Sequence, residues 1–183
     1  MKKIKILGIS GSLRKESYNL ALLRAAAKLL PPEVELEIIT LENIPLYNQD
    51  LEYTNIPAIT DFKAKIKSAD ALLFSSPEYN YSIPGVLKNA LDVASRPWGE
   101  NSFAGKPAAI MGASVGNIAT ARMQYHLRQC LVFLDMYPIN KPEVMIGMAQ
   151  DKIDEKGEIN DDKTKEKIAE MLVALVEWTN KLA

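Results

Sequence analysis

The chain has 183 residues, 48% of them apolar and 25% charged, and a formal net charge of −1. That balance suits a single globular domain over residues 1–183 and excludes a disordered chain. The charge is near neutral and no Lys/Arg cluster stands out, which argues against nucleic acid as a partner.

Met1-Lys2-Lys3-Ile4-Lys5-Ile6-Leu7 opens like a signal peptide, but Lys5 breaks the apolar stretch and no small-residue cleavage site follows. No apolar run approaches the ~18 residues of a membrane span. Cys130 is the single cysteine. It has no disulfide partner, and no Cys/His group has zinc spacing. The expectation is a cytoplasmic protein with no membrane or metal partner.

Ile4 to Ile9 is a short apolar run ending in Gly8-Ile9-Ser10-Gly11-Ser12, a buried strand entering a turn. Leu20 to Leu30 is rich in Ala and Leu and stops at Pro31-Pro32, which marks a helix. From Val34 to Thr40, Val34, Leu36 and Ile38 alternate with acidic residues in strand fashion. Tyr53 to Ile59 contains Pro57 and reads as a loop entering a helix that runs through Lys67.

Ala69 to Ser75 is a second buried strand, and Pro84 suits the first turn of the helix after it. In that helix Val86, Leu87, Ala90, Leu91 and Ala94 share a face. Pro107 to Gly112 reads as a strand and Ile118 to Leu134 as a helix. Tyr137 to Ile146 holds a last strand whose limits Pro138 and Pro142 blur. Ile168, Met171, Leu172, Leu175 and Thr179 line a C-terminal helix. Strand and helix alternate throughout, which implies a parallel sheet covered on both faces. Asp151 to Asp162 is acidic, but Gly157 falls one place late for a calcium loop and no terminal Glu follows. It reads as a solvated loop.

Two constellations carry chemistry. Ser10, Ser12, Leu13, Arg14, Ser17 and Asn19 lie between the first strand and the first helix. Short polar side chains and a guanidinium at a helix N-terminus suit a phosphate. Helix capping alone needs one such residue. The G-x-G-x-x-G fingerprint is absent, and Gly105-Lys106 leads into Pro107 rather than the Ser or Thr of a Walker motif. A mononucleotide phosphate remains.

The second constellation runs from Ser76 to Gly85, after the second buried strand, and includes Pro77, Glu78, Tyr79, Asn80 and Tyr81. Taken alone, it fits a ring-binding loop and an ordinary surface loop equally. Taken together, the two segments end neighbouring strands of the doubly wound order 2-1-3-4-5, where that fold binds FMN. The segment from Gly112 to Asn117, which holds Ser114 and Gly116 and ends the fourth strand, permits close approach of a ring or substrate or forms a plain turn.

On GSLRKESYN (11–19), PEYNYSIPGVLKNALD (77–92), ARMQYHLRQCLVFLD (121–135) and KPEVM (141–145), the chain resembles the NADPH-dependent FMN reductase family. That family includes quinone, chromate and azo-dye reductases. The resemblance implies a flavodoxin-like three-layer α/β/α fold with a five-stranded parallel sheet. It implies FMN, with phosphate contacts from Ser12, Arg14, Ser17 and Asn19. It implies ring contacts from Pro77 to Tyr81, with Ser114 nearby.

Glu16 departs from the small residue usual in the family, and Ala119-Thr120 from a frequent Gly pair. The resemblance also implies a homodimer, or a tetramer, with Arg122, Tyr125 and Glu143 between subunits. His126, Cys130 and Trp178 read as packing or interface residues. Trp98 either covers the substrate side of the flavin or packs on the surface.

No nucleophile, triad or metal cluster is visible, which suits chemistry carried by a flavin. The expected reaction is ping-pong, from NADPH or NADH through FMN to a small quinone, azo, chromate or flavin acceptor. The alternative is an FMN-binding electron carrier without NAD(P)H activity. Carriers tend to be strongly acidic, and the charge of −1 argues against one.

Overall fold

The structure is a computed structural model that describes residues 3–183. Met1 and Lys2, which begin the stretch compared with a signal peptide, lie outside the described residues. Strand β1 (Ile4–Ser10) is followed by α1 (Tyr18–Leu29), β2 (Val34–Ile39), α2 (Pro57–Ser68) and β3 (Ala71–Ser75). Then come α3 (Gly85–Ala94), β4 (Pro107–Ala113), α4 (Ala121–Phe133), β5 (Tyr137–Pro138), β6 (Val144–Ile146) and α5 (Asp162–Leu182).

The sheet is parallel in the order β2-β1-β3-β4-β5, and β6 also pairs with β4. This is the flavodoxin-like order expected from the sequence. The difference lies at the fifth position, where two short strands replace one. Pro138 and Pro142 have no N–H to give the ladder, so pairing stops after Ala108 and resumes at Met111.

Successive β1 residues face opposite sides of the sheet. Ile6 joins Leu73, Ala109 and Met111 in a core covered by α1 and α5. Leu7 and Ile9 join Leu72, Phe74 and Ile110 in a core covered by α2, α3 and α4. Fully buried strands explain the unbroken apolar runs of β3 and β4. The edge strand β2 alternates instead: Val34 is buried and Leu36 and Ile38 pack on the first core, while Glu35 and Glu37 face Lys5 and Lys65.

Helix starts follow local chemistry. Ser17 caps α1 and Asp161 caps α5 through their side chains, and Pro57 occupies the first turn of α2. Helix α4 begins at Ala121 rather than Ile118, because residues 116–119 close a turn with Ala119 N–H donating to Gly116.

The acidic segment 151–162 is more ordered than a solvated loop. Ile153 and Ile159 pair across an antiparallel bridge and are buried in the α1/α5 core. The Asp154 carboxylate accepts the N–H groups of Lys156 and Glu158, both at 2.9 Å, and these bonds hold its pKa below the ordinary range. Two isoleucines among the acids were the signal for this turn. Among the described residues no helix is long and apolar enough to cross a membrane.

Candidate active site

Strands β1 and β3 end side by side, with Ser10 in register with Ser75 and both serines buried. Gly11 N–H donates to the Ser75 carbonyl at 2.8 Å. Only glycine fits there, since a Cβ would lie 2.3 Å from Ser76 Oγ and 2.7 Å from Ser76 Cβ. The chain leaves β1 toward β2 and leaves β3 toward β4, so this is the point where the strand order reverses.

From β1 the chain folds into a nest of donors. Ser10 Oγ accepts Ser12 N–H at 3.4 Å, and Ser12 Oγ accepts Arg14 N–H at 3.3 Å. Ser17 Oγ accepts Asn19 N–H at 3.2 Å and Leu20 N–H at 3.4 Å. The N–H groups of Leu13, Lys15 and Tyr18 donate to no acceptor among the described residues. Arg14 is exposed, with its guanidinium 4.9 Å from the Tyr18 ring centroid. Free N–H groups, a helix N-terminus and a guanidinium together favour an anion.

Asn19 makes bonds that its spacing does not reveal. Its Nδ2 donates to the Ala113 carbonyl at 3.0 Å and its Oδ1 accepts Ala113 N–H at 2.9 Å. Its own carbonyl accepts from Ser75 Oγ at 2.8 Å. Asn19 therefore ties the start of α1 to the ends of β3 and β4.

From β3 the chain enters a tight reversal. Tyr79 and Ser82 exchange both backbone hydrogen bonds, at 3.1 and 3.0 Å. Asn80 and Tyr81 between them sit at φ +51 and +65. Two left-handed residues make a primed turn, common for Asn and strained for Tyr. Tyr79 and Tyr81 are exposed, and the N–H groups of Asn80 and Tyr81 have no acceptor among the described residues.

The Glu78 side chain is 8% exposed and turns inward to α4. Its carboxylate accepts the N–H groups of Arg122 and Met123 at 3.0 and 3.1 Å, and Arg122 Nη1 at 2.9 Å. The carboxylate is thereby engaged by α4 on both of its oxygens.

The third loop closes the site. Ser114 Oγ donates to the Ala119 carbonyl at 2.8 Å and accepts Gly116 N–H at 3.3 Å. Gly112 lets this loop meet the second, because a Cβ there would lie 2.5 Å from the Ser76 carbonyl. Ala119 stands at φ +55, a conformation in which the family's usual glycine has no strain. Buried Thr120 beside it accepts from Gln124 Nε2 at 3.2 Å.

The trio expected between subunits is divided. Tyr125 donates to Glu143 at 3.0 Å, whereas Arg122 turns to Glu78 and covers the Tyr81 ring at 3.8 Å. His126 Nδ1 lies 3.0 Å from Ser82 Oγ. Burial raises the pKa of Cys130. Trp178 Nε1 donates to the Tyr137 carbonyl at 2.9 Å, and Trp98 is exposed with Arg96 6.0 Å from its ring. Sequence reasoning missed Ser75 as a site residue. A serine closing an apolar strand was the available signal.

A family profile described as NADPH-dependent FMN reductase matches residues 4–151. The chain belongs to this family. It is 56% identical over 180 residues to an NAD(P)H-dependent FMN reductase of Pseudomonas aeruginosa, covering 98% of this chain and 97% of the relative. It is 42% identical to a 2-hydroxy-1,4-benzoquinone reductase of Burkholderia, covering 96% of each chain. Among solved structures, the Paracoccus denitrificans flavoenzyme FerB, an NAD(P)H:(acceptor) oxidoreductase, superposes with a TM-score of 0.90 at 35% identity. That match covers 97% of this chain and 98% of FerB.

Membership of the NADPH-dependent FMN reductase family makes the protein an enzyme and implies FMN. The residues present fit that group. The nest offers unpartnered N–H donors and Arg14 to a phosphate. The left-handed turn offers N–H donors and two exposed tyrosines to a flat ring.

Proposed function

We propose that the protein is an FMN-dependent NAD(P)H oxidoreductase that reduces small quinones, with azo compounds, chromate and free flavin as further acceptors. The observation that supports this reading is the meeting of an anion nest and an aromatic turn at one strand-order reversal. Ser12, Arg14, Ser17 and the free N–H groups hold the phosphate, and Asn19 braces them from behind. Backbone groups of residues 77–81 meet the ring edge, and Ser114 and Gly116 border it. FMN, tightly bound, supplies the electron transfer between NAD(P)H and the acceptor.

The protein's own part is to hold the ring with one face open to each partner in turn. NADPH is the proposed donor, with NADH as the alternative. The protein is proposed to work in the cytoplasm as a homodimer, or as a homotetramer.

Anaerobic NADPH added to the purified yellow protein should bleach the flavin bands. Steady-state turnover with a quinone should give parallel double-reciprocal lines, and intersecting lines would reject the ping-pong order. Yellow protein that NADPH leaves unbleached would favour an electron carrier.

A further inference from the structure

Three features meet at Glu78. Helix α4 has no side-chain cap of its own, since Thr120 makes no capping bond. The Glu78 carboxylate takes over that task from across the fold, accepting two of the first N–H groups of α4. The same carboxylate fixes the Arg122 guanidinium, and its flat face lies 3.8 Å from the Tyr81 ring centroid. Tyr81 is held at φ +65, a strained backbone for a bulky side chain. Such strain persists only where the surroundings over-determine it, and it gathers at ligand clamps.

We propose that Glu78 is a positioning residue for the flavin ring, acting through Arg122 and Tyr81. The inference rests on the FMN reading above. One carboxylate sets the left-handed turn against α4 and so places the Asn80 and Tyr81 N–H groups at the ring edge. It also balances the positive charge of Arg122 and of the α4 N-terminus beside the ring.

Glu78→Gln puts an NH₂ where donors already point, so it breaks the clamp while keeping its size. Arg122→Lys keeps the charge and loses the planar fork and the stacked face. Both act on the ring end of the site, and Arg14→Ala acts on the phosphate end.

The test is titration of the flavin-free full chain with FMN and with riboflavin, alongside the thermal midpoint of each variant. Glu78→Gln and Arg122→Lys should weaken both flavins by the same factor, about tenfold, which is the effect of one lost charged hydrogen bond. Arg14→Ala should weaken FMN and spare riboflavin. The flavin midpoint potential of Glu78→Gln should rise, because a negative charge has left the surroundings of the electron-rich ring.

The proposal is overturned if the wild type binds both flavins and Glu78→Gln and Arg122→Lys bind them equally well. It is also overturned if only the thermal midpoint falls, or if FMN weakens while riboflavin does not. Should Glu78→Gln fail to fold, Arg122→Lys decides alone. A wild type that binds neither flavin defeats the FMN reading itself, and the proposal with it.

Discussion

Asn19 shows how much one side chain can carry. A backbone pair at the end of a strand normally finds its partner in the next strand. Here a primary amide provides both halves of that pairing to Ala113. Replacing it with Leu keeps the bulk and leaves two buried backbone groups without partners. Each such group costs roughly 1–3 kcal/mol, so Asn19→Leu should lower unfolding stability by about 3 kcal/mol in urea melts. FMN binding should weaken as well, because the nest loses its brace. The position of Asn19 beside the N-cap suggested a ligand contact, since short polar residues there often face anions. The partner that the fold gives its amide lies 94 residues away, beyond anything local spacing encodes.

At the scale of elements, helix α5 shows how a local signal becomes stability. Asp161 Oδ2 accepts the Thr164 N–H and hydroxyl, and these bonds, the hydroxyl first, hold the Asp161 pKa below the ordinary value. A carboxyl whose folded pKa is lowered adds stability above its unfolded pKa. That stability is lost as the pH falls through the folded value. Asp161→Ala should therefore cost about 1 kcal/mol at neutral pH. The gap between wild type and variant should close as pH falls below about 4, checked by melts at stepped pH.

Most elements were legible in the same way, because they rest on periodicity, proline stops and caps within a few residues. The divided strand at residues 137–146 was not, since proline shows where pairing fails but not where it resumes. The turn at 153–159 was hidden because acidic composition masks two buried isoleucines. The cap that Glu78 gives α4 was hidden for a third reason: the two are 44 residues apart, and only the fold joins them.

For the whole molecule, the order β2-β1-β3-β4-β5 brings two separate loops to one place, and the site exists only because the sheet reverses there. The order follows from the resemblance, and the two loops are local motifs, so their meeting could be anticipated. How Arg122 is shared could not. It leaves Tyr125 and Glu143 as the pair facing outward on α4 and the loop before β6. If that pair helps hold subunits together, Glu143→Ala should lower the sedimentation coefficient. An unchanged value would assign the pair to the surface of each subunit.

Strand β2 ends the sheet and shows an open ladder to solvent. Its defence is electrical: Glu35 and Glu37 stand along it with Lys5 and Lys65, charges that a second copy's strand would have to desolvate. Such a fence has the range of its counter-ions, which shrinks to roughly 3 Å in molar salt. Concentrated electrolyte shortens that range without sparing an incoming strand the desolvation of four charged groups, so the guard at β2 outlasts molar salt.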